Sequence, residues 1–221
     1  MATDEQRLQE HIIEQTIAHV PRGFLNEAME RIRRAYDEEY SEVQHSKTTL
    51  EEQRIFKLTQ NRCFRVDWDF VQAATAHGLA ATAKSLPLNK WHHAYVTSGA
   101  FGMTQSYVQR IGDLPHPARF REALAASARC PRLPIDDDAE IYDLKKFYAL
   151  LAHNPVGRKF RQEEQKLGSL MFCVPSHDMR AWSVSISVPE LLALYPEEKK
   201  VAKPTREPAW KAGTERKTVE K

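Results

Sequence analysis

The sequence predicts a mainly α fold, a multi-helix domain with one β-hairpin near the C-terminus. Two long stretches near the N-terminus place apolar residues three and four positions apart, which is the period of an amphipathic helix. Residues 182–188 read WSVSISV, and this strict alternation indicates a β-strand. The hydrophobic fraction of 42% and the charged fraction of 28% are typical of a globular chain.

The first two predicted helices form an acidic helical hairpin over residues 1–46. Thr3 and Gln6 have the spacing of a capping box, in which each side chain binds the other residue's backbone N–H. The first helix is expected to end at Pro21, and the second to run from about Phe24 to His45. This segment holds five basic and ten acidic residues, a net charge of −5, so we do not expect it to contact nucleic acid.

Residues 47–130 are predicted to form a helical domain. Its predicted parts, in order, are a helix capped by Thr48 or Thr49, a break at 61–65, a helix from Trp68 to His77, a helical continuation over 79–85 and a helix over 118–128. The linker Cys130–Pro134 contains two prolines and is the predicted domain boundary.

Residues 135–196 are predicted to hold helices and the β-hairpin, and residues 197–221 a basic disordered tail. The predicted parts, in order, are a helix capped by Asp138 and ended by Asn154-Pro155, a basic helix over 156–167, the hairpin over 170–188 and a short helix from Glu190 to Tyr195.

Residues 94–112 read AYVTSGAFGMTQSYVQRIG and are predicted to form two short helices with a tight turn at Gly102. Glycine adopts positive φ without steric cost, so Gly102 can reverse the chain, and Thr104 can cap the next helix. Val108 and Ile111 then share the inner face of that helix. The outer face carries Gln105, Ser106, Gln109 and Arg110.

This segment resembles the helix-turn-helix of the Cro and C1 repressor family, where a run like G-[apolar]-[ST]-Q-S-Y-[VI]-x-R-I is common. The matching residues are Gly102, Met103, Thr104, Gln105, Ser106, Tyr107, Val108, Arg110 and Ile111. The resemblance implies that the second helix enters the major groove of DNA. It implies base contacts from Gln105, Ser106 and Gln109, a phosphate or guanine contact from Arg110, and backbone contacts from Lys90, Arg119 and Arg121.

A competing nucleic-acid site is predicted in residues 138–188, where helix, turn, basic helix and β-hairpin follow in the order of a winged helix. Its candidate contacts are Arg158, Lys159 and Arg161, with the turn at His177 as the wing. The basic tail, with Trp210 among lysines, could also contact phosphates and stack on a base.

Patterns of catalytic or metal-binding residues are weak. Ser176-His177-Asp178 has the residue types of a hydrolase triad, but consecutive side chains point apart, so a hairpin turn is the better interpretation. Asp136-Asp137-Asp138 are adjacent carboxylates, which do not converge on one cation. Glu42 and His45 have di-iron spacing without a second such pair. We therefore expect no catalytic residue, no metal and no cofactor.

The leading hypothesis is a non-enzymatic nucleic-acid-binding protein, either a DNA-binding regulator or a subunit of a nucleoprotein assembly. DNA is the expected partner, with RNA as the alternative, and the chain is expected to form a homodimer or a larger protein assembly. The runner-up is a structural or adaptor protein whose helices bind another protein. Three cysteines far apart favour the cytoplasm, and no apolar run is long enough for a membrane contact.

Overall fold

The computed structural model describes residues 3–85, 92–128 and 146–196. Within these residues the fold is α/β, with five α-helices and one six-stranded mixed sheet. The predicted mainly α fold with a single β-hairpin is therefore wrong, and so is a description of the protein as all-α. The helices are α1 (Asp4–His19), α2 (Arg22–His45), α3 (Arg54–Ala76), α4 (Arg119–Ala128) and α5 (Val188–Leu194). The strands are β1 (Ala80–Ser85), β2 (His92–Ser98), β3 (Phe101–Tyr107), β4 (Phe147–Pro155), β5 (Leu167–Pro175) and β6 (Trp182–Ser187).

The sheet consists of two three-stranded meanders that meet at its centre. The strand order is β1-β2-β3-β4-β5-β6, and every neighbouring pair is antiparallel except β3 and β4, which are parallel. Both of these strands therefore end at the same edge of the sheet, where Tyr107 pairs with His153. This shared edge determines where side chains from both halves of the sheet come together.

Helices cover both faces of the sheet, so its central strands are buried on two sides. The main hydrophobic core joins α1, α2 and α3 to one face, and it includes the stacked rings of Phe101 and Phe147, 4.8 Å apart. On the other face α4 places Ala125 against Tyr148 and Leu150. Alternate residues of β4 thus enter two different cores.

Residues 94–107 form a β-hairpin, so the predicted pair of helices around Gly102 is wrong. The chain reverses three residues earlier, at Gly99-Ala100, where Gly99 has a φ of 53°. Gly102 lies within β3, and a Cβ added there would overlap the hydroxyl oxygen of Tyr95. A larger residue at position 102 would therefore displace the Tyr95 side chain, and the glycine does not mark a turn.

Other predicted helices are also wrong. Residues 80–85 form β1 and residues 147–155 form β4, while residues 156–166 contain turns and bends and no helix. Strand β4 is buried on both faces, and its nearly continuous apolar sequence imitates a helical stripe. The predicted break at 61–65 is absent because α3 continues through it.

Several predictions from periodicity are confirmed. Thr3 and Gln6 form the capping box of α1, and α2 follows it directly. The β5–β6 hairpin, the helix ending at Ala128 and the short last helix are present. The segment Ser176–Asp178 forms the hairpin turn, in which the Ser176 hydroxyl donates to Asp178 at 2.6 Å.

Some predictions fall outside the described residues. They concern Lys90, Cys130 with the linker that follows it, Asp136–Asp138 and the tail 197–221 with Trp210. Among the described residues, no helix combines the length and apolar character that a membrane span needs.

Candidate functional site

A cleft of about 270 Å³ opens at the sheet edge where β3 and β4 end. In open α/β sheets, ligands bind outside the carboxyl ends of parallel strands, because loops from both strands diverge there. Helix α3 forms one wall with Thr59, Arg62 and Cys63. The remaining polar lining is Gln105, Tyr107 and Gln109 from β3 and its following loop, and His153, Arg158 and Gln165 from β4 and its following loop.

A chain of buried hydrogen bonds forms the floor of the cleft. The Tyr36 hydroxyl lies 2.7 Å from Nδ1 of His153, and Nε2 of His153 lies 2.8 Å from the amide oxygen of Gln105. Since that amide oxygen can only accept, Nε2 carries the proton and Nδ1 accepts from Tyr36. The amide nitrogen of Gln105 then donates to Asp67 at 2.8 Å, which fixes the orientation of every member.

Burial sets the protonation of these groups. It lowers the pKa of His153 to about 3, with a smaller contribution from the charge of Arg62, so the imidazole is neutral at pH 7. Burial also raises the pKa of the Cys63 thiol, which leaves it protonated and a poor nucleophile. It raises the pKa of Asp67 as well, opposed by the hydrogen bonds from Gln105 and the backbone of Ala94. These groups therefore maintain the shape of the cleft.

Arg62 connects α3 to the loop between β4 and β5. Its guanidinium donates to the side-chain oxygen of Gln165 at 2.7 Å and to the backbone oxygens of Gln165 and Tyr36. It also lies 4.2 Å from the centre of the Tyr36 ring. Gln165 in turn donates to the backbone oxygens of Lys159 and Gly157, at 2.8 and 3.3 Å. Arg62 thus determines the position of the loop that carries Arg158.

The basic rim consists of three exposed side chains on this loop, Arg158, Lys159 and Arg161. Phe160 lies between them and points inward, with its ring 4.9 Å from that of Tyr40. A terminal nitrogen of Arg158 lies 3.5 Å from the amide oxygen of Gln109 on the opposite side of the cleft. Arg158 therefore places a positive charge at the opening, and Lys159 and Arg161 are exposed on the same loop, which also carries the carboxylates of Glu163 and Glu164.

The residues assigned to the helix-turn-helix are separated by the real fold. Gln105 and Ser106 lie in β3 and are only 9% and 7% exposed, so they cannot enter a groove of DNA, and Gln105 belongs to the cleft floor. Gln109 and Arg110 follow β3 and are exposed. Arg119 is exposed at the start of α4, while Arg121 donates to the backbone oxygen of His116. Groove insertion of a helix beginning at Thr104 is therefore excluded.

Sequence reasoning missed most of the polar network around the cleft. Tyr36, Arg62, Asp67, His153 and Gln165 come from four separate segments, and their contacts span up to 117 positions in the chain. The available signal was a polar residue inside an apolar pattern, as at Arg62 in α3 and at His153 in β4. Such a residue indicates a buried polar partner but does not identify it.

The described residues hold no cluster of three or more metal-ligating side chains. Comparison of the chain with protein-family models, curated proteins and solved structures finds no match. The inference of function therefore depends on the cleft itself.

Proposed function

We propose that this protein is a non-enzymatic nucleic-acid-binding protein and that the cleft with its basic rim is the interface. The observation that supports this proposal most directly is the proximity of Gln109 and Arg158, where a guanidinium nitrogen of Arg158 lies 3.5 Å from the amide oxygen of Gln109. The sequence assigned these residues to two competing sites, and the fold makes them parts of one cleft. This arrangement replaces groove insertion as the mechanism.

The residues around the opening fit a single strand better than a duplex. The basic rim offers positive charge to phosphates. Tyr107 is 39% exposed in the cleft wall, and an unpaired base can stack on its ring. Gln109 can hydrogen-bond a base edge. The proposed partner is therefore single-stranded DNA or RNA, bound in the cytoplasm, where Cys63 and Cys173 stay free thiols.

Replacing the basic rim tests this proposal. We expect Arg158→Ala/Lys159→Ala/Arg161→Ala to weaken binding of a labelled 12-nucleotide single strand by about tenfold or more at low salt, measured by fluorescence anisotropy. The slope of log affinity against log salt should become shallower by about 2, since each lost phosphate contact contributes about 0.7 for a single strand.

The matched control is Arg22→Ala/Arg33→Ala/Arg34→Ala, which removes the same charge from exposed positions of α2. The control variant should bind the strand with an affinity within about twofold of the wild-type value, because its substitutions leave the contacts at the rim intact. If both variants lost affinity equally, the loss would be explained by net charge and not by the basic rim. No binding of any strand by the wild-type chain would reject the proposed function.

One observation favours the adaptor alternative. Phe56, Phe64 and Trp68 lie on α3 and are 72%, 50% and 60% exposed. Exposed aromatic side chains in such a group mark protein-binding surfaces. Under this alternative, binding of a protein partner requires Trp68 and not the basic rim, and oligonucleotides do not bind.

A further inference from the structure

A second, acidic cleft of about 530 Å³ lies directly behind the wall of the first. Both clefts are lined by Tyr107 and Gln109, so these two residues separate them. The acidic cleft is lined by the carboxylates of Asp113, Glu122 and Asp178. Its described lining contains no lysine or arginine, although Arg180 forms an ion pair with Asp178 at 3.9 Å.

The residues that carry the carboxylates of the acidic cleft are exposed. Asp178 accepts a hydrogen bond from the Ser176 hydroxyl at 2.6 Å and one from the backbone N–H of Arg180 at 3.1 Å, and these bonds hold its pKa below the usual range. A strand that continued past Tyr107 would bring its phosphates towards these negative charges, at a cost in Coulomb energy.

The first cleft is also small for a passing strand. Its volume of about 270 Å³ falls just below the roughly 300–1,000 Å³ of sites for small molecules. That space accommodates one nucleotide unit and not a run of several. Together, the small volume and the acidic surface behind the wall favour a ligand that ends inside the cleft.

The geometry points to recognition of a phosphorylated strand end: the terminal phosphate of a single strand binds beside Arg158, and its base stacks on Tyr107. This inference rests on the proposed function and adds the part of the nucleic acid that is recognised. A terminal phosphate monoester carries close to two negative charges at pH 7, against one for an internal diester. The guanidinium of Arg158 and the amide nitrogen of Gln109 supply donors for the additional charge.

The test compares one 40-nucleotide sequence in four forms: with a 5′-phosphate, with a 3′-phosphate, with hydroxyls at both ends, and as a closed circle. We expect at least one phosphorylated form to bind the wild-type chain about tenfold more tightly than the hydroxyl form and the circle. Arg158→Ala should remove this preference. The triple variant Asp113→Asn/Glu122→Gln/Asp178→Asn should raise the affinity for the circle towards that of the linear forms.

The control Glu5→Gln/Glu10→Gln/Glu14→Gln neutralises three exposed carboxylates of α1 and should leave the circle weakly bound. Equal affinity of the wild-type chain for circle and phosphorylated strand would overturn end recognition while nucleic-acid binding stands. An unchanged circle affinity in the acidic-cleft variant would overturn the role of those carboxylates. Displacement of the strand by an equal concentration of a nucleoside monophosphate would assign the cleft to free nucleotides and overturn the inference. Absence of binding to all four forms would overturn it together with the proposed function.

Discussion

Lowering the pH from 6.5 towards 4 is expected to destabilise the folded protein steeply through His153. Burial lowers the pKa of this imidazole from 6.5 to about 3. The unfolded chain therefore binds a proton in this range that the folded chain does not bind. Stability contributed by such a group is complete above the unfolded pKa and is lost as the pH falls through the folded pKa, by up to about 1.4 kcal/mol per pH unit and by about 5 kcal/mol in total.

Urea unfolding of the wild-type chain, His153→Gln and His177→Gln between pH 6.5 and 4.5 measures this effect. Glutamine can donate and accept in place of the imidazole but does not titrate. The free energy of unfolding of His153→Gln should therefore fall less steeply with pH, by a difference in slope that corresponds to about one bound proton. His177 is exposed in the β5–β6 turn, and its replacement should leave the wild-type slope unchanged. Identical slopes for all three proteins would show that His153 does not titrate as its burial requires.

Replacing Arg62 with methionine is expected to lower the free energy of unfolding by about 3 kcal/mol. Methionine fills similar space but leaves the side-chain and backbone oxygens of Gln165 without their buried donor, and each such loss costs about 1–3 kcal/mol. Because Gln165 binds the backbone of Lys159, the basic rim should also lose its fixed position. Binding of single strands should weaken at temperatures where the variant is still folded.

Denaturant titration of Arg62→Met beside Arg33→Met checks this prediction. Arg33 is exposed on α2 and forms a surface ion pair with Glu30 at 3.6 Å, so its loss should cost less than about 1 kcal/mol. A cost below 1 kcal/mol for both variants would mean that the loop is held by other contacts. If Arg62→Met retained full affinity for single strands, the position of the loop that Arg62 holds would not matter for binding.

The elements predicted correctly are those whose own sequence carries a complete signal. The helices α1 and α2 have a sustained apolar stripe, and β6 has strict alternation with serine. Strand β1 lacks such a signal because it contains small and polar residues at positions that packing decides. In β3, Gly102 was interpreted as a turn, whereas the run of β-favouring residues before Gly99 indicated the real reversal.

The site was predicted only in part because its residues meet through the sheet. The exposed basic side chains Arg158, Lys159 and Arg161 are visible in the sequence as a charge run. Their position beside Gln109 depends on the parallel pairing of β3 with β4, which joins residues about 46 positions apart. No local periodicity records that pairing.

Photocrosslinking with a bromouracil-substituted single strand tests most directly whether the cleft binds nucleic acid. After ultraviolet irradiation and proteolysis, mass spectrometry identifies the attached residue. We predict a crosslink at Tyr107, whose ring lines the cleft wall, and its loss in the basic-rim variant. Crosslinks confined to Trp68 and the outer face of α3, with none at Tyr107, would contradict the account.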